Sequence, residues 1–169
     1  MKAPFKVEPL SKKHDRQSFD CGEESLNLFL QHFARQNAEK GFGRTFVAVK
    51  GSDPKIYGYY TLSSNSFGFE LVPENLPRYP VPVVHLGRLA VDKSAQGQRL
   101  GQALLFHAFE RSVGIAEQLG IYAVEVYALN EQAREFYLSF GLTELKNDRR
   151  HLYVTIKDIK KILALQTMI

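Results

Sequence analysis

The residues best suited to chemistry lie in the segment QGQRLG, Gln96 to Gly101. It follows an apolar run ending at Val91 and opens a long stretch with apolar residues at helical spacing. A glycine-containing turn at a helix N-terminus aims successive backbone N–H groups at one point. That makes a concave anion site suited to a pyrophosphate. Glycine lets the phosphate approach the main chain closely. No Gly-Lys-Ser/Thr follows, so this is not a Walker loop. The third glycine and the acidic residue of a dinucleotide fingerprint are also missing.

Other reactive side chains are scattered. Cys21 sits ahead of the first helix with no histidine that spacing would pair with it, and packing is its default role. His85 and His107 read as isolated, with no metal-ligand spacing, and no metal site is expected. Asp92 and Glu125 are candidate bases acting through water. Cations fall near each other in sequence at Arg35, Lys40 and Arg44, at Arg78 and Arg88, and at Arg149 and Arg150, with a solvated basic surface as the plain alternative.

The 169 residues, 44% hydrophobic and 24% charged, fit one globular domain spanning residues 1–169, with enough core to need no metal or disulfide. One cysteine allows no internal disulfide. The first segment, MKAPFKVEPLSKKHDRQ, is too charged for a signal peptide, and no apolar run reaches membrane length. A cytoplasmic protein with no membrane partner is expected. Twenty-two Lys and Arg against eighteen Asp and Glu leave a net charge of +4, which favours anionic ligands if the cations cluster.

These residues need a scaffold. Phe5 to Leu10 reads as a first strand. Asp20 and Glu23 have capping-box spacing before a helix whose Leu26, Phe29, Leu30 and Phe33 form one apolar stripe. TFVAV and IYGYYTLSS are adjacent strands, and Leu71 to Pro82, with four of the seven prolines, is a loop. VVHLGRLAV and IYAVEVYAL are buried strands. Helices cover QGQRLGQALLFHAFERSVGIAEQLG and NEQAREFYLSFG; LYVTI is a last strand, and KDIKKILALQTMI is a closing helix. Strand–helix–strand order in the second half implies parallel pairing, and hairpins in the first half imply antiparallel pairing. The expected fold is a mixed α/β sheet.

QGQRLGQAL resembles the acetyl-CoA motif of the GNAT N-acetyltransferases, with one departure: Arg99 stands where that motif usually has glycine. NEQAREFYLSFGL resembles the same family's Asn-x-x-Ala-x-x-Phe-Tyr segment. The resemblance implies the GNAT fold, a mostly antiparallel twisted sheet with a central parallel pair and helices on both faces. It also implies an acyltransferase that uses acetyl-CoA. Its cofactor site would comprise Leu89, Ala90, Val91, Gln96, Gly97, Gln98, Arg99, Leu100, Gly101, Gln102, Asn130 and Phe136. Tyr137 would point at the thioester, although its helical stripe alone reads as core.

FDCGEESLNLFL, FARQN, RTFVAV, GYYTLSS and PRYPVPVVHLGRLAVD are similar to one GNAT subgroup, the TacT- and AtaT-like toxins of type II toxin–antitoxin modules. That similarity implies acetylation of the α-amino group of aminoacyl-tRNA and a block of translation. It further implies a ribbon–helix–helix antitoxin, repressor contact with operator DNA only through the antitoxin complex, and a homodimer. Arg35, Lys40, Arg44, Arg78 and Arg88 are then the candidate tRNA contacts. Two alternatives stay open: a GNAT acting on a small amine or a protein N-terminus, and a non-catalytic nucleic-acid-binding or co-repressor module. For acetyl transfer, the α-amine is partly neutral near pH 8, so the leaving thiolate needs an acid more than the amine needs a base. Tyr137 is the candidate acid, and the N–H groups around Leu89 to Val91 are the candidate oxyanion donors.

Overall fold

Residues 5–168 are described in a computed structural model. Seven strands are ordered β1-β2-β3-β4-β5-β7-β6 in one sheet. They are β1 (Lys6–Pro9), β2 (Arg44–Val49), β3 (Gly58–Phe67), β4 (Val81–Val91), β5 (Ala123–Tyr127), β6 (Thr143–Leu145) and β7 (Asp148–Thr155). The β4–β5 pair is parallel, whereas β1–β2, β2–β3, β5–β7 and β6–β7 are antiparallel. This is the mixed sheet that the element order implied, with the central parallel pair that the GNAT resemblance implied.

The chain divides into two compact units, residues 1–63 with 87–108, and residues 64–86 with 109–169. In the first unit, β2 is buried on both faces after its first residue, which is why it reads as an unbroken apolar run. Its core gathers Phe19, Phe29, Leu30, Ala34, Val47, Val49, Ile56, Tyr59 and Ala90. The first helix departs from expectation. It is α1 (Glu24–Leu28), a π-helical turn at Phe29–Phe33, then α2 (Ala34–Glu39). The wider π turn breaks the i, i+4 relation. Phe29 and Leu30 are buried, but Phe33 is thrown outward to 53% exposure, and Ala34 takes the core position. The capping box does not form either. Glu23 is the N-cap without a side-chain bond, and the Asp20 carboxylate instead accepts from the Gly22 N–H and the Asn27 side chain.

In the second unit, Phe67, Val72, Val81, Val83, Ala123, Leu145 and Tyr153 pack together. Helix α4 (Glu131–Ser139) is N-capped by Asn130, whose Oδ1 accepts the Ala133 N–H at 2.9 Å. It ends at Gly141, whose φ of +98° suits glycine. The closing helix α5 (Ile156–Thr167) is capped by Thr155, which accepts the Asp158 N–H. Helix α3 (Leu100–Ala116) contributes residues to both units. The short strand β6 carries too few residues for a period-2 signal and has no counterpart in the sequence reading.

Candidate active site

In the first unit, β4 ends at Val91 and the chain turns through Asp92 into Gln96–Arg99 before α3 begins at Leu100. Gly97 has φ +82° and Arg99 φ +62°. Left-handed residues at alternate positions turn successive N–H groups toward the same side, the geometry of an anion nest. The first N–H groups of α3 add to it because they have no intrahelical acceptor. No acidic residue occupies the first turn of this 17-residue helix, so nothing offsets its partial positive charge. Gln96 braces the turn: its side-chain amide donates to the Cys21 and Val91 carbonyls.

Asp92 belongs to the scaffold. Its Oδ1 accepts the Asp20 N–H at 2.9 Å, and its Oδ2 accepts the Ser94 N–H and hydroxyl at 3.0 and 2.6 Å. Burial would raise its pKa, but these hydrogen bonds and nearby Lys55 hold it below the usual range. At 4% exposure, with both oxygens engaged, it is a clamp and not a base. Burial raises the Cys21 thiol and leaves it a poor nucleophile.

The basic residues are unevenly placed. Arg35 pairs with Glu39, and the Arg88 guanidinium lies 3.6 Å over the Phe29 ring. Lys40, just after α2, and Arg44, the first residue of β2, are exposed at the two ends of the connecting turn. Arg78 belongs to the second unit and packs over Phe69. Arg35, Lys40 and Arg44 therefore lie close along the chain, and Arg88 is drawn onto an aromatic ring.

In the second unit, Tyr137 lies on α4 with its ring buried, edge-on to Phe136 at 5.3 Å. Its hydroxyl takes no hydrogen bond among the described residues, and burial raises its pKa. A phenol so held keeps its proton at neutral pH, as a proton donor must. The helix is fastened by Arg134, which donates to the Arg149 carbonyl and pairs with Glu144, and by the Glu131–Arg149 ion pair.

The same unit holds a cluster that the sequence reading missed. Glu125, fully buried, accepts hydrogen bonds from Asn65 Nδ2 at 2.6 Å and His85 Nδ1 at 2.7 Å on one oxygen, and pairs with His151 Nε2 at 2.5 Å on the other. Burial would raise its pKa, but the bonds from His151, His85 and Asn65 outweigh that and hold it at about 2. So low a value makes Glu125 a fixed anion and not a base. His85 is not isolated, and neither is His107, whose Nδ1 lies 2.7 Å from the Tyr60 hydroxyl. The available signal was a single polar residue in each of two apolar strands, VVHLG and AVEVY, which the parallel register places opposite each other. Among the described residues, no group of three or more His, Cys, Asp and Glu side chains could hold a metal ion.

Residues 10–142 match the acetyltransferase (GNAT) family model, a span that runs through both units. The chain belongs to the GNAT acetyltransferase family. Among GNAT relatives, the tRNA-acetylating toxin of Mycobacterium tuberculosis is 37% identical over 159 residues, covering 92% of this chain and 94% of that protein. The solved structure of AtaT complexed with acetyl-methionyl-tRNAfMet superposes with a TM-score of 0.88 at 33% identity, covering 94% of this chain and 99% of that one. A tyrosine-to-phenylalanine mutant of the AtaT toxin, bound to the C-terminus of the antitoxin AtaR and to acetyl-CoA, gives a TM-score of 0.82 at 32% identity, covering 95% and 99%. This GNAT protein is thus an acetyl-CoA-dependent N-acetyltransferase.

Proposed function

We propose that this GNAT protein is a toxin that acetylates the α-amino group of aminoacyl-tRNA and so blocks translation. The observation that carries this reading is its near full-length likeness to a tRNA-acetylating toxin. The structure with acetyl-methionyl-tRNA supports the same substrate class.

The residues present suit acetyl-CoA. The nest of Gly97 and Arg99, with the N–H groups of Gln98, Leu100, Gly101 and Gln102, would hold the pyrophosphate. Gln96 holds that turn in shape. In this reading the backbone of Leu89, Ala90 and Val91 faces the acyl end, while Asn130 and Phe136 line the arm. When bound, acetyl-CoA supplies the acetyl group as a thioester. The N–H groups at the end of β4 act as oxyanion donors. Tyr137 holds a proton at its hydroxyl and gives it to the leaving sulfur.

Arg35, Lys40, Arg44, Arg78 and Arg88 are read as the cations available to the tRNA backbone, with Lys40 and Arg44 the most open. Among the described residues no helix is long and apolar enough to cross a membrane. Charged tRNA is a cytoplasmic substrate, so the proposed place of action is the cytoplasm. The proposal also includes one acetyltransferase domain over residues 1–169, a homodimer, and a ribbon–helix–helix antitoxin through which alone the pair meets operator DNA as a repressor.

The test is incubation with labelled acetyl-CoA and bulk charged tRNA. Label should enter the aminoacyl group, and expression of the chain alone should arrest growth. Acetylation of free polyamines without any of charged tRNA would replace this reading with a small-molecule one.

A further inference from the structure

We propose that His85 is the general base of the transfer, its Nε2 removing the proton from the substrate's α-ammonium group. This rests on the aminoacyl-tRNA reading and adds to it a residue that the fold alone does not supply.

The parallel register sets His85 of β4 opposite Glu125 of β5. An ionised carboxylate only accepts hydrogen bonds, so the 2.7 Å contact fixes the proton of neutral His85 on Nδ1. The basic lone pair is then on Nε2. A buried anion that orients an imidazole and stabilises its protonated form is a general device for making histidine a base.

The cluster contains two imidazoles, and their surroundings separate them. The His151 side chain is 2% exposed, with Nε2 on Glu125 and Nδ1 at 3.1 Å from Asn147 Oδ1, so both nitrogens are used within the protein. The His85 side chain is 26% exposed, and its Nε2 has no partner among the described residues. Asn65 shares the Glu125 oxygen and steadies it. Tyr127 stacks on His151 at 4.0 Å and stands edge-on to His85 at 6.4 Å, walling the pair. Glu125 and the Tyr127 phenol meet His85 directly, while the Asn65 amide and His151 meet the same carboxylate.

The step balances simply. An N–H bond of the ammonium breaks, its electron pair stays on the nitrogen as the nucleophilic lone pair, and the proton forms a bond to His85 Nε2. Solvent then takes that proton from the imidazolium. Glu125 never touches the substrate and is a positioning residue.

The experiment compares the parent chain with His85→Ala, His85→Gln and Glu125→Gln. It measures acetylation of charged tRNA across pH and acetyl-CoA affinity by calorimetry. His85→Gln keeps the size and a donor toward Glu125 but has no basic nitrogen, so it separates base loss from misfolding. Both His85 variants should bind acetyl-CoA like the parent. They should lose roughly 10²-fold in rate at about pH 6.5 and recover toward parent rate near pH 9, where the α-amine is already neutral. Added imidazole should restore part of the His85→Ala rate. Glu125→Gln should shift the acid limb of the rate profile while acetyl-CoA affinity stays that of the parent. Parent-like rates at pH 6.5, or a loss equal at every pH without imidazole rescue, would overturn the role of His85. A parent chain that binds acetyl-CoA yet leaves charged tRNA unmodified would overturn the substrate reading, and this role with it.

Discussion

Gly97 and Arg99 both hold positive φ, two residues apart, and Arg99 is the sole non-glycine residue to do so among those described. The left-handed region costs an ordinary residue about 1 kcal/mol or more. Arg99 is the position where the family motif usually has glycine. The strain is tolerated because the nest needs that backbone twist whichever side chain occupies the position. Arg99→Gly should therefore raise stability by up to about 1 kcal/mol, less the extra chain entropy of glycine. Denaturant unfolding measures this. Acetyl-CoA affinity should change little, because the N–H groups stay in place. By contrast, Gly101→Glu sets a carboxylate at the positive end of α3 and should abolish binding in calorimetry. A Gly101→Glu variant that bound like the parent would remove the nest from the cofactor site.

Glu125 makes acid stability predictable. Its pKa is about 2 in the folded state against 4.5 for the free side chain. A depressed carboxylate contributes stability that is fully present above about 4.5 and is lost as pH falls toward 2. Thermal unfolding followed from pH 6 to 2.5 should show the parent losing stability in that window. Glu125→Gln should lack this part of the slope. A parallel slope in both proteins would mean that the cluster does not carry the acid sensitivity.

Much of the architecture is legible in the sequence, for a physical reason. Strands β2 to β5 and helices α3 and α4 carry strong apolar periods and glycine or asparagine punctuation, so local pattern and tertiary fold agree. The turn ahead of α3 and the buried position of Tyr137 on α4 follow from the same local pattern. What failed was either local backbone irregularity or pairing at long range. The π turn at Phe29–Phe33 rotates Phe33 out to solvent although its spacing is perfectly helical. The Asp20–Glu23 spacing promises a capping box, but Asp20 is occupied with Gly22 and Asn27, and Asp92 reaches back to the Asp20 N–H from the far side of the first unit's sequence. His85 and Glu125 are 40 residues apart in the chain. Only a strand register could bring them together, and composition does not encode it.

Tyr137 offers a sharp separation of packing from chemistry. Removing only its oxygen leaves the buried ring and its contacts with Phe136 in place. Tyr137→Phe should melt within a degree or two of the parent and bind acetyl-CoA equally well. It should lose acetyl transfer by very roughly 10²-fold or more, the scale of one positioned acid. If affinity and rate fell together, Tyr137 would be a core residue alone.

The cations provide the last prediction, and the structure reorders them. Arg35 is committed to Glu39 and Arg88 to the Phe29 ring, whereas Lys40 and Arg44 stand exposed at the two ends of one turn. Backbone recognition of tRNA is largely counterion release, so each phosphate contact adds to the slope of affinity against salt. Lys40→Glu with Arg44→Glu should weaken tRNA binding and flatten that slope by about 1 per cation removed. Acetyl-CoA affinity should be untouched, which distinguishes a lost tRNA contact from a damaged fold. Exposed cations on a toxin also invite an acidic antitoxin tail that folds as it binds. The same double reversal should then weaken the antitoxin complex, and the weakening should fade at high salt. Lost tRNA binding with an undiminished antitoxin affinity would place the inhibitor elsewhere on the chain. A salt slope equal to the parent's would show that the tRNA backbone does not meet Lys40 or Arg44, and would return attention to Arg78 and Arg88.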